Sequence, residues 1–132
     1  MGKYRLQPSA KETKTVVFST ANTNRDGTGT LSSAIQATAT TSPGRVLRAG
    51  VIAQGTTTAG AVGLYLVSGG NTRLVYEWAV DALTPGATAA AWSGSHVFDE
   101  DDPLEFVAGD TFKFATQKGE AFTGTVVLGT YS

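Results

Sequence analysis

Two arms of alternating apolar residues around one tight turn constrain this chain more than any other feature. They lie in Gly55–Trp78, GTTTAGAVGLYLVSGGNTRLVYEW. Val62, Leu64 and Leu66 alternate on the first arm, Leu74, Tyr76 and Trp78 on the second, and Ser68-Gly69-Gly70-Asn71 joins them. Side chains that repeat every second residue on both sides of a Gly-rich turn specify an antiparallel hairpin with one buried face.

The rest of the chain has the same character. Thr, Ala and Gly supply 54 of its 132 residues, which favours strands, tight turns and close packing over helices. No segment sustains an i, i+3, i+4, i+7 apolar stripe over three turns. Strands are expected at 13–20, 29–38, 45–54, 60–68, 72–81, 88–98, 104–107, 110–117 and 121–131. Turn clusters separate them, among them Asn24-Arg25-Asp26-Gly27, Ser42-Pro43-Gly44, Thr84-Pro85-Gly86 and Lys118-Gly119-Glu120. Eight or nine short antiparallel strands in one domain predict an all-β, jelly-roll-like β-sandwich over residues 12–132. Its core is expected from Val17, Leu31, Ile35, Leu47, Val51, Leu64, Leu66, Tyr76, Trp78, Phe112, Phe114, Phe122, Val126 and Leu128. Residues 1–11, with Lys3, Arg5, Lys11 and Pro8, read as an extended basic N-terminal arm.

Charge and composition narrow the function. A net charge of −1 gives no overall field for nucleic acid, so no nucleic-acid partner is expected. No apolar run reaches the length of a membrane span, and the first residues lack the apolar centre of a secretory signal, so no membrane role is expected either. With no Cys and one His, neither a structural zinc site nor a Cys–His nucleophile can be assembled. His96 sits in Ser93-Gly94-Ser95-His96-Val97 without a G-x-S-x-G elbow and reads as a strand residue. Asn22 to Gly27 imitates the first half of a calcium loop, but Ser33 stands where the bidentate acid is required, so the segment reads as a turn. Gly55 to Gly60 lacks the Gly-Lys-Ser/Thr ending and the helix of a phosphate loop. No catalytic residues, metal or cofactor are expected, and the chain does not read as an enzyme.

Two charged segments remain as candidate contacts. One is the acid run Asp99, Glu100, Asp101 and Asp102 ahead of Pro103, whose carboxylates repel unless solvated, paired with cations or bound to calcium. The other is the basic leader, where Lys3, Tyr4, Arg5, Lys11 and Lys14 are candidate subunit contacts.

Several strings, Asn24-Arg-Asp-Gly-Thr-Gly-Thr-Leu31, Gly55-Thr-Thr-Thr-Ala-Gly60, Asn71-Thr-Arg-Leu74 and Ala121-Phe122, resemble the turns and closing strand of small all-β virion structural proteins of tailed phages. The resemblance runs from about Ala21 onward. It implies a capsid decoration (cement) protein on the capsid exterior, whose partners are the major capsid protein and further copies of itself in a homotrimer. The alternative it implies is a minor tail or receptor-binding component that recognises host glycans. The basic leader and the acids at 99–102 depart from the family pattern.

Overall fold

The computed structural model describes residues 10–131. Eight strands form: β1 (Ala10–Phe18), β2 (Gly44–Ala53), β3 (Gly60–Ser68), β4 (Asn71–Val80), β5 (Ser93–Val97), β6 (Leu104–Phe106), β7 (Thr111–Thr116) and β8 (Phe122–Thr130). One sheet runs β1-β8-β2-β5 with β6 also paired to β2; the other runs β4-β3-β7. Every strand pairing is antiparallel, and the two sheets pack face to face as a β-sandwich. The strands divide five and three between the sheets.

Strand β2 serves two neighbours in turn. Gly44–Val46 pairs with β6 and Arg48–Ile52 with β5. The register against β8 shifts between Val46 and Arg48, which leaves Leu47 as an extra residue. Its carbonyl accepts the Phe98 amide at 3.0 Å, so the bulge stays bonded where β2 changes partner.

The core lies between the sheets. Val46, Ala49, Val51, Phe122, Val126 and Leu128 come from one, and Val62, Leu64, Trp78, Phe112 and Phe114 from the other. The Phe114 ring stacks on Phe18 at 5.3 Å and 9°, and lies 6.3 Å from Trp78. Opposite it sits Gly124 of β8, where a Cβ would come within 2.5 Å of the ring. The missing side chain is what lets the ring reach across to β8.

Four expectations are corrected. Residues 29–38 are not a strand. They follow the free edge of β7 with the Ser32 and Ile35 amides bonded to Phe114 and Phe112 carbonyls, but the Ser32 hydroxyl, not a backbone oxygen, accepts the Phe114 amide. That side-chain substitution keeps the pairing from becoming a continuous ladder. Within 88–98 only Ser93–Val97 is a strand, because Gly86 and Ala89 exchange backbone bonds in a tight turn first. Val17 is 60% exposed, since β1 turns its even-numbered side chains, Val16 and Phe18 among them, inward. Leu74 does not share a face with Tyr76. A bulge inserts Val75, so Tyr65 pairs with Leu74 while Leu64 pairs with Tyr76, and Leu74 turns to the outer side.

The described part of the leader also differs from an extended arm. Ala10 and Lys11 belong to β1 and pair with Thr130 and Gly129. Lys3, Tyr4 and Arg5 lie outside the described residues.

Candidate functional site

The acid run forms a fixed loop between β5 and β6. Asp99 Oδ1 accepts the amides of Asp101 at 3.0 Å and Asp102 at 3.1 Å, a local turn that short acidic side chains make readily. Asp102 Oδ2 lies 2.9 Å from His96 Nε2. His96 is itself held by the core, stacked on Tyr76 at 4.1 Å and edge-on to Phe98 at 4.7 Å. Strand alternation explains the arrangement: Gly94, His96 and Phe98 point toward the other sheet, and the chain then reverses within four residues to bring Asp102 back to His96. The loop is therefore pinned at both ends, with exposed Asp101 between them.

The cations of β1 divide by alternation. Lys11 points to the outer face of its sheet and is exposed. Lys14 points inward, where its Nζ donates to Thr38 Oγ1 at 3.0 Å and lies 3.6 Å from Glu12 Oε2. Glu12 accepts the Thr38 amide at 2.8 Å and the Thr38 hydroxyl at 2.7 Å. These bonds from Thr38, with Lys14 adding to them, hold the Glu12 carboxyl below its usual value of 4.5. Glu12 and Lys14 together thus tie Thr38 to β1.

A carboxyl with a lowered folded pKa adds stability that is present above its unfolded value and is lost as pH falls through the folded one. Glu12→Gln is therefore expected to flatten the acid limb of stability against pH below about 4.5 and to lower stability slightly at neutral pH. Denaturation midpoints at a series of pH values read both effects.

No protein-family model matches the chain, and no curated protein matches it.

A second fixed loop, Asn22–Leu31, covers the outer face of the three-stranded sheet. Buried Asn22 donates through Nδ2 to the Thr28 and Thr30 carbonyls, at 3.0 and 2.9 Å, and accepts the Asn24 amide at 3.0 Å. Tyr65 donates its hydroxyl to the Asn24 carbonyl at 3.0 Å, and burial raises that phenol's pKa. Arg25 closes the loop onto Glu77 at 2.7 Å, the contact that raises the guanidinium pKa. Asp26 accepts from the Thr28 amide and hydroxyl, which lowers its carboxyl pKa. Two of the oxygens that imitate a calcium loop, Asn22 Oδ1 and Asp26 Oδ1, are thus engaged in holding a turn. Among the described residues no group of three or more His, Asp or Glu is placed to hold a metal ion.

The links missed by sequence reasoning are His96–Asp102 and Arg25–Glu77. The first carries a local signal, a lone His six residues before an acid with Pro103 next. The second joins residues 52 apart and carries none.

Proposed function

We propose that this protein is a virion structural protein of a tailed phage, and specifically a head decoration protein that binds the assembled capsid lattice. The observation that carries the reading is the pinned acidic loop. The Asp99 carboxylate fixes the loop backbone and the His96 contact fixes the Asp102 carboxylate, at the margin of a sheet, and all four acidic residues are exposed. A preordered charged surface loses little freedom on docking, which favours a contact repeated over a lattice with modest affinity per copy. The resemblance of the Asn24–Leu31, Gly55–Gly60 and Asn71–Leu74 strings supports the same reading.

Attachment to capsid shells, measured by co-sedimentation, is expected to weaken as salt rises from about 50 to 500 mM, because exposed charge pairs are screened beyond a Debye length of about 10 Å or less. Replacing Asp99, Glu100, Asp101 and Asp102 together by Asn or Gln is expected to reduce attachment about tenfold or more. A variant restricted to Asp101→Asn leaves both pins intact and separates loss of charge from loss of loop geometry. Attachment unchanged by salt and by both variants would remove the acidic loop from the interface.

A further inference from the structure

The Asn22–Leu31 loop holds the one Asp-Gly pair in the chain, Asp26-Gly27, and the chain has no Asn-Gly pair. The structure requires both residues. Gly27 has a φ of +89°, and a Cβ there would stand 2.6 Å from the Thr72 carbonyl oxygen and 2.9 Å from Thr72 Cβ, so only glycine fits. Asp26 Oδ1 accepts the Thr28 amide at 3.0 Å and the Thr28 hydroxyl at 2.5 Å. The same hydroxyl oxygen accepts Asn24 Nδ2 at 3.1 Å. At an exposed position the loop thus keeps a carboxyl carbon next to an amide nitrogen that no side chain shields.

We propose that Asp26-Gly27 is a self-modification site, at which the Gly27 amide nitrogen closes on the Asp26 carboxyl carbon to give isoaspartate, and that the two Thr28 bonds hold the native loop against this reaction. In the first step the Gly27 nitrogen bonds to Asp26 Cγ. The amide proton leaves with the carboxyl hydroxyl as water, and a five-membered succinimide remains. Water then adds to one of its two carbonyl carbons. Addition at Cγ restores aspartate. Addition at the main-chain carbonyl carbon breaks its bond to the Gly27 nitrogen, so the chain then runs through Cβ and Cγ with a free α-carboxylate beside it. One water leaves and one enters, and nothing is oxidised or reduced.

The Thr28 bonds oppose closure in two ways. They direct Oδ1 to residue 28, so closure must break both. They also favour the charged carboxylate, a poor source of a leaving hydroxyl, over the neutral acid that reacts. The loop is closed as well by Arg25 on Glu77 and by Asn22 on the Thr28 and Thr30 carbonyls, so the reaction waits for local opening. Once formed, isoaspartate adds a methylene to the main chain between Arg25 and Gly27. Gly27 has no room to absorb it against Thr72, and the Arg25–Glu77 and Asn22 contacts lose their register. The site is independent of the acidic loop and of the proposed capsid role.

The test is to age the full chain at about 37 °C and neutral pH, native and in guanidinium chloride, and to read isoaspartate at position 26 by electron-transfer fragmentation of its peptides. It is expected to accumulate in the denatured chain and at least about tenfold more slowly in the native one. Thr28→Val, which removes the hydroxyl and keeps the branched shape, is expected to speed the native reaction about fivefold. Thr28→Ser keeps the hydroxyl and is expected to stay near the wild-type rate. Asp26→Glu, which would have to close a six-membered ring, is expected to give no product. Where circular dichroism shows that the valine variant is unfolded, the native and denatured wild-type rates decide alone. Absence of isoaspartate at position 26 in the denatured chain overturns the site. A native rate equal to the denatured one, or a folded Thr28→Val chain no faster than wild type, overturns the protection by Thr28.

Discussion

Replacing Phe114 by Ala is expected to destabilise the protein by about 3–5 kcal/mol, a large part of the whole stability of a domain of this size. The ring is fully buried, stacks on Phe18, and fills the space over Gly124 on the opposite sheet. Removing it takes away the contact that joins the two sheets at their centre. Gly124→Ala is expected to be destabilising for the opposite reason, since the new methyl would stand within 2.5 Å of the ring. Combined, the two changes should be less harmful than their sum, because the methyl then occupies part of the cavity. Urea denaturation of the two single variants and the double reads the coupling. Strict additivity would mean that Phe114 and Gly124 do not share the packing described here.

Gly44→Ala is the second large effect, expected at about 3 kcal/mol or more. A Cβ at this position would overlap the Gly129 carbonyl oxygen and stand 2.7 Å from Phe106 Cζ. The carbonyl belongs to the β8 backbone, so relief requires β2 and β8 to separate at the pairing of Gly44 with Thr130. Backbone strain plays no part, because Gly44 has no positive φ. Gly55→Ala is the control: its surroundings are open and its φ is not positive, and a change within about 0.5 kcal/mol is expected.

These sites show what was legible in the sequence. The hairpin and most later strands follow from two-residue periodicity and turn chemistry, which act locally, and β3 and β4 agree with expectation to within a residue. Local patterning failed where one residue changed the count. Val75 reads as one more member of an alternating arm, yet the bulge it forms sends Leu74 to the outer face beside Tyr65. In Val16-Val17-Phe18 both parities offer an apolar residue, so only the pairing of β1 with β8 decides which side faces the core. The segment 29–38 has strand composition and lies beside β7, but the Ser32 hydroxyl substitutes for a backbone acceptor. The acid run was visible as a cluster of charge. Its fixation was not, because it depends on where β5 places His96 against Tyr76 of the other sheet.

The position of β8 also has a consequence in time. It lies between β1 and β2 in its sheet and is the partner that joins them. During synthesis, at about 5–20 residues per second, β1 and β2 emerge seconds before the strand that fits between them. The β3–β4 hairpin can close at once, whereas β1, with Val16, Val17 and Phe18, waits without its native neighbour. Lys11 and Lys14 in that waiting strand give it charge that discourages pairing with the wrong chain. The nascent protein thus spends its most aggregation-exposed interval before β8 appears.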